Sequence, residues 1–350
     1  MLSTLCRIIS SCCALLMHRV LIGCLCLVTP FFATADVNIY SSRQEALIKP
    51  LLDQFSEQTG IKVNLVSGAD DALISRLQLE GDKSPADLLI TADAGRLHRA
   101  KEAGLFQPLQ SQVVHNLVPA KLRDADDMWV GLTLRARPIF YAKGRLNPDE
   151  IKTYSDLTSE QWAGRICVRS SSNIYNQSLI ASMIETEGEE SALAFAKGLV
   201  ENFARPPAGG DTDQLKAAAA GVCDIAIANT YYFGRLLISD KASDQLVAER
   251  LGVIWPNQQG RGTHVNISGI GLTRASENVD EAMQLIEFML TPEAQTWYSD
   301  VNSEYPVVEG VAPSDALKGL GVFKADSINL TVLGENNQRA VELMDKAGWR

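Results

Sequence analysis

The first 35 residues contain no aspartate or glutamate, the rest of the chain holds three histidines and two cysteines, and no run of lysine and arginine occurs anywhere in the 350 residues. Each scarcity excludes something. A chain of net charge −10 without a basic stripe lacks the electrostatic footprint that a phosphate backbone requires, so no nucleic acid is expected as a partner. Two cysteines with no histidine nearby cannot build a thiolate zinc site of the usual spacing. The sequence has no Gly-x-Ser-x-Gly elbow and no His-Glu-x-x-His, and His98, His115 and His264 stand beside no obvious nucleophile, so it is not expected to be an enzyme. No Gly-rich Walker loop is present either. Energy for any transport would have to come from a separate ATPase.

What is present begins with a leader. Arg7 and Arg19 precede a 13-residue, largely apolar run from Val20 to Phe32, which ends in Ala33-Thr34-Ala35 before Asp36. That run is shorter than the ~20 residues needed to span a bilayer. Small residues at the cleavage positions identify residues 1–35 as a cleaved secretory signal, and export to the periplasm follows. Met17-His18-Arg19 followed by the apolar run forms a shorter complete signal, which makes Met17 an alternative start. Leu21-Ile22-Gly23-Cys24 also resembles a lipoprotein box, although Arg19 comes almost directly before it. Cleavage removes five of the seven cysteines and takes the net charge to −12 with the loss of Arg7 and Arg19. Cys167 and Cys223 remain, either as a disulfide or as two buried thiols.

From Asp36 onward short β-branched runs alternate with helical patterns. Strands are expected at 37–40, 61–66 and 87–91, with helices at 46–60, 71–80 and 95–103. A second such unit begins near Arg165. It has strands at 165–169, 202–204 and 223–228, with helices at 177–187, 189–201, 212–220 and 233–239. Trp129 to Lys143 and Val265 to Thr273 read as long extended runs, and helices at 279–290, 292–299, 314–318 and 336–347 complete the chain. This rhythm predicts an α/β fold of two lobes, each a mostly parallel sheet flanked by helices, joined by two crossing strands. The lobes would comprise 36–133 plus 260–308 and 134–259 plus 309–350. Ligands of such sheets bind outside the carboxyl ends of the strands, so the cleft between the lobes is the expected site.

Unusual polar residues collect at those strand ends. Tyr40-Ser41-Ser42-Arg43 follows the first strand, and Arg135 and Arg137 lie in the first extended run. Ser170-Ser171-Ser172-Asn173-Ile174-Tyr175 and Asn229-Thr230-Tyr231-Tyr232 follow two later strands. Asn229 and Thr230 suit a helix N-cap, which would set Tyr231 and Tyr232 at the turn with both hydroxyls in reach of one volume. A phenol with a pKa near ~10 becomes a phenolate at neutral pH only beside strong positive charge. A trivalent cation supplies that charge, and hard oxygen donors suit ferric iron better than zinc or copper. The same residues also admit simpler roles. A tyrosine pair can serve packing with one hydrogen bond, a Ser-rich turn can merely cap a helix, and Arg135, Ser170 and Asn229 could instead cradle an anionic or small organic solute.

The stretches Tyr40-Ser-Ser-Arg43, Ser84-Pro-Ala-Asp87, Arg135-Ala-Arg137, Arg169-Ser-Ser-Ser-Asn-Ile-Tyr-Asn-Gln-Ser178 and Ile227-Ala-Asn-Thr-Tyr-Tyr232 with Gly234-Arg235 resemble the ferric-ion-binding periplasmic proteins of iron ABC importers, including the cyanobacterial iron-uptake type. The resemblance runs in order from about Val37 to the C-terminus. It implies a type II periplasmic-binding-protein fold and Fe(3+) as the ligand, with Tyr175, Tyr231 and Tyr232 as phenolate donors. It also implies Arg135 as the support of the site or of a synergistic anion such as carbonate, an ABC permease and ATPase as partners, and a monomer. Many relatives continue Tyr-Ser-Ser-Arg with His-Tyr, both available to iron. Here Gln44 and Glu45 stand in their place. Glu45 would offer a carboxylate and Gln44 a carbonyl, unless Glu45 is simply a helix-start residue favoured by the helix dipole.

Overall fold

The structure, a computed structural model, describes residues 36–350. The signal peptide, the alternative start at Met17, the lipoprotein-box reading at Cys24 and the first five cysteines lie outside the described residues. Among the described residues, no helix is long and apolar enough to cross a membrane.

The chain builds two sheets. In the first, β1 (Val37–Ser41), β2 (Val63–Ser67) and β3 (Leu88–Ala92) run parallel, with β1 between the other two. The helix Lys49–Thr59 connects β1 to β2. It carries Pro50 in its first turn, buries Leu51, Leu52 and Phe55, and stops at Gly60 in the left-handed conformation. The helix Asp70–Glu80 then leads to β3.

β4 (Phe106–Gln107), β5 (Val130–Ala136) and β10 (Val265–Thr273) extend this sheet, and β11 (Tyr305–Pro306) forms its edge against β5. β10 is antiparallel to β3, β4 and β5, so the sheet is mixed, with less parallel pairing than the mostly parallel sheet expected. Only β10 and β11 run against the rest: β4 and β5, each antiparallel to β10, keep the direction of β1 to β3, while β10 enters from the other sheet on the return crossing and pairs in reverse. Every residue of β10 is buried. A Cβ at Gly269 would stand 2.6 Å from the Leu97 side chain and 2.7 Å from the Val130 carbonyl, so glycine there lets the helix Ala94–Glu102 lie directly on the strand.

The second sheet has the order β7 (Ile166–Cys167), β8 (Ile225–Ile227), β6 (Ile139–Ala142), β9 (Leu251–Ile254). β7 and β8 are parallel, while β6 is antiparallel to both its neighbours. The long run 129–143 thus serves both sheets. It stays in the first as far as Ala136 and passes to the second at Arg137–Pro138, where proline has no N–H to continue a ladder. The return crossing runs from β9 into β10. Cys167 and Cys223 form a disulfide with Cα atoms 5.9 Å apart, which decides between the two readings of these thiols.

Two expectations fail locally. Asn202–Ala204 is not a strand, since only Phe203 bridges to Ile166. The helix Ala242–Arg250 and β9 were not expected, because that helix buries only Ala248 and offers little apolar periodicity.

Candidate functional site

The helix Thr230–Leu237 starts directly after β8, and the helix Ile174–Glu187 starts a short turn after β7. These are adjacent parallel strands, so both helix N-termini emerge on the same edge of the second sheet. Tyr231 and Tyr232 occupy the first turn of one helix and Tyr175 the first turn of the other. The side chain of Asn173 caps the latter by accepting from the Tyr175 N–H at 3.2 Å. The Tyr231 hydroxyl donates to the Tyr175 hydroxyl at 3.2 Å, and the rings of Tyr231 and Tyr232 lie 4.2 Å apart. All three tyrosines line a cavity of about 170 Å³ between the two sheets. A larger groove of about 810 Å³ around Trp255 and Arg261 shares no lining residue with it and contains no phenol.

The far wall of the cavity belongs to the first sheet. Arg135 on β5 is buried at 2% exposure, with its guanidinium 5.3 Å from the centre of the Tyr175 ring. Its Nη1 donates to Ser268 Oγ at 3.0 Å, while Nη2 stays 4.0 Å from Asp93 Oδ2. Nε and Nη2 of Arg135 are buried without a hydrogen-bond partner. Arg43 forms a buried ion pair with Glu304 at 2.6 Å, joined by the Thr133 hydroxyl, which donates to Glu304 at 2.9 Å. Arg235 stacks its guanidinium 5.2 Å from the Tyr231 ring. Burial alone would raise the Glu304 carboxyl, but Arg43, Arg135 and the Thr133 hydroxyl outweigh it and hold it below the ordinary value.

Burial pushes the Tyr231 phenol well above its ordinary pKa of 10.0, helped by the facing Tyr175 and Tyr232 and opposed by Arg135. Burial likewise pushes Tyr232 up to about 12, with Tyr175 and Asp211 adding to it. Both phenols are therefore neutral near pH 7, and the protein alone does not make them anions. Among the described residues no group of three or more His, Cys, Asp or Glu could hold a metal. Any metal chemistry here rests on phenol oxygens, which lose their protons only to a hard, highly charged ion.

Tyr175, Tyr231, Tyr232, Arg135 and Gln44 thus share one cavity, Gln44 as an exposed residue at its rim. The other expected residues do not reach it. Glu45 is exposed in the short turn Glu45–Leu47, which leaves its carboxylate in solvent. The Ser170 hydroxyl pairs with Ser172 at 2.9 Å, closing its own turn. Asn229 holds the N-cap position without capping, because its Oδ1 accepts from Arg137 at 2.9 Å instead. Nothing in the sequence pointed to Glu304. It follows Ser303, a left-handed residue at φ 55, and joins the site only through the pairing of β11 with β5.

Two α/β lobes enclosing a polar cavity at their strand ends define an extracytoplasmic solute receptor of the type II periplasmic-binding-protein fold. The sequence takes the assignment further. Residues 51–325 match the family of bacterial extracellular solute-binding proteins, and the chain belongs to it. It is 47% identical over 315 residues to Iron uptake protein A1 of a Synechocystis strain, covering 90% of this chain and 88% of that one. Among solved structures, a Trichodesmium protein (IdiA, FutA) in complex with iron and citrate ligands superposes with a TM-score of 0.87 at 51% identity, covering 90% of this chain and 100% of the other. The ferric binding protein from Campylobacter jejuni superposes with a TM-score of 0.86 at 43% identity, again covering 90% and 100%.

Proposed function

We propose that this protein captures ferric iron between its lobes through the phenolate oxygens of Tyr175, Tyr231 and Tyr232, and delivers it to a membrane importer composed of a permease and a separate ATPase. The observation that carries the reading is the 3.2 Å contact of the Tyr231 and Tyr175 hydroxyls, with the Tyr232 ring tilted against Tyr231 at 4.2 Å. Three phenolates neutralise the charge of a ferric ion, and the iron-binding relatives agree with that cargo. The buried, unpartnered Nε and Nη2 of Arg135 suit a synergistic anion such as carbonate beside the metal. Gln44 and Glu45 contribute little, so the first lobe closes over the ion with Arg43 and Glu304 rather than with its own metal donors.

In this account the protein catalyses nothing and works as a monomer in the periplasm, exported by cleavage after Ala35. A division at 133/134 would fall inside β5, so we take the lobes as 36–136 plus 260–308 and 137–259 plus 309–350, with the first crossing at Arg137–Pro138. Acid or reduction releases the metal, since protons compete for phenolate and ferrous ion binds hard donors less tightly.

A second reading, an anion or small organic solute receptor, rests on the guanidinium nitrogens of Arg43, Arg135 and Arg235 that are buried without partners. One experiment separates the two: metal content and visible spectrum of the purified mature protein, with and without bicarbonate. Ferric phenolate gives an orange to red protein containing iron. A colourless, iron-free protein that binds oxyanions would establish the second reading.

A further inference from the structure

The donor tyrosines stand on two separate helices, so something has to fix the distance between the helix starts. Arg137 lies between them, at the crossing from β5 to β6, with 1% exposure. Its Nη2 donates to Asn176 Oδ1 at 2.6 Å, the residue next to Tyr175. Its Nη1 donates to Asn229 Oδ1 at 2.9 Å, two residues before Tyr231, and to Asp211 Oδ2 at 3.0 Å. The same Asp211 oxygen accepts the backbone N–H of Asn229 at 2.7 Å. Asn176 is held on its other side, donating Nδ2 to the carbonyls of Arg169 at 2.9 Å and Ser170 at 3.2 Å. A guanidinium is a planar, rigid fork, so groups bound to its two arms cannot drift independently.

Stability does not account for this arrangement well. A buried ion pair recovers little more than its own desolvation, and apolar residues of similar volume commonly stabilise as much. What the guanidinium adds is geometry. Its backbone is fixed as well: the Arg137 N–H donates to the His264 carbonyl at 3.0 Å, and its carbonyl accepts from the Tyr154 hydroxyl at 2.8 Å. That hydroxyl also accepts from the His264 N–H at 3.2 Å. Both crossings between the lobes therefore meet at Arg137.

We propose that Arg137 is a positioning residue for the metal site: through Asn176 and Asn229 it sets the separation of Tyr175 from Tyr231, while its backbone anchors the hinge. The proposal rests on the ferric reading of the site and deepens it. Arg137 touches no metal; it acts through the two asparagines and through its guanidinium, which lies 5.9 Å from the centre of the Tyr175 ring.

The test uses the mature protein loaded with ferric citrate, comparing wild type with Arg137→Lys, Asn176→Ala and Asn229→Ala. Three quantities are read: the maximum of the visible phenolate-to-iron band, the rate of iron loss to excess EDTA, and the Tm of the iron-free form. A shifted, broadened band and iron loss faster by about tenfold or more are expected for Arg137→Lys, in the range reported for residues that orient metal ligands. Each asparagine variant should change the band and rate in the same sense by less, without adding to the Arg137→Lys effect. If Arg137→Lys fails to fold, the asparagine variants, which keep the Arg137–Asp211 pair, decide the matter. Folded asparagine variants with wild-type band and wild-type iron loss overturn the proposal, whatever happens to Tm. A coloured wild type with such variants overturns the positioning role alone, whereas a wild type that never colours overturns the ferric reading and this proposal together.

Discussion

The hydroxyl of Tyr231 donates to the hydroxyl of Tyr175 across 56 residues of sequence, and the two rings belong to helices that start from adjacent parallel strands. Burial, with Tyr175 and Tyr232 facing it, raises the resistance of the Tyr231 phenol to ionisation. The arrangement is unfavourable for anions until a cation occupies the space between the oxygens.

Removing one of these oxygens should therefore act on the metal and not on the fold. Tyr231→Phe and Tyr232→Phe are expected to bleach the visible band and weaken ferric binding by at least ~100-fold, beyond what loss of an outer-shell partner does. The far-ultraviolet circular dichroism should stay unchanged. Spectra and chelator competition check this, and an intact band in both variants would remove these residues as ligands.

The raised phenol pKa values set two pH dependences. Ferric binding through three phenolates releases up to three protons, so affinity should fall with decreasing pH by up to about three orders of magnitude per unit. Potentiometric titration of protons released on loading measures this directly. The iron-free protein has the opposite alkaline behaviour. Tyr232, held at about 12 against an ordinary 10.0, and Tyr231, held well above 10.0, favour the fold while protonated. That stabilisation is complete below pH ~10 and is lost as pH rises through 12. Urea midpoints falling across that interval are expected, and a flat profile would contradict the burial of these hydroxyls.

Closure should fail with one added methyl group. Gly234 in the helix Thr230–Leu237 lies against Ser303, where a Cβ would come within 2.6 Å of the Ser303 Cβ. Elsewhere in a helix Gly→Ala gains about 1 kcal/mol. In Gly234→Ala the clash outweighs that gain and forces the second-lobe helix away from the first-lobe segment before β11. Solution scattering should show a larger radius for the iron-loaded variant, with faster iron loss. Wild-type scattering and retention would show that this contact does not limit closure.

The disulfide should support the second lobe without touching the chemistry. Cys167 and Cys223 close a loop with a sequence separation of 56, for which the chain-entropy relation gives about 4 kcal/mol. Replacing both by alanine should lower the urea midpoint accordingly and leave the visible band in place. Loss of the band at full stability would mean that the bridge shapes the site.

Much of the fold was legible because burial imposes periodicity. Val265–Thr273 was expected at its observed ends, since all nine residues are buried and no charged residue or proline interrupts the run. Tyr231 and Tyr232 stood out because they follow an apolar strand at an Asn-Thr turn, whereas Tyr175 stood out through the family resemblance; both helices start three residues earlier than expected, which puts all three tyrosines in first turns. Asn229 was misread for a reason sequence cannot supply: a capping residue has other partners available, and Arg137 takes its oxygen. Glu304 was invisible because its partner Arg43 is 261 residues away and the two meet only through tertiary structure. The mostly parallel sheets expected from the strand and helix rhythm are more mixed than that, because β10 and β6 run against their neighbours, and no local pattern records the direction in which a strand enters a sheet.

The central claim is that three phenol oxygens converge on a ferric ion. Anomalous diffraction at the iron absorption edge, from crystals of the iron-loaded mature protein, tests it most directly. A single peak within bonding distance of the Oη atoms of Tyr175, Tyr231 and Tyr232 is predicted, with the Arg135 guanidinium beside it. A peak away from these oxygens, or no peak in crystals grown with ferric citrate, would contradict the account.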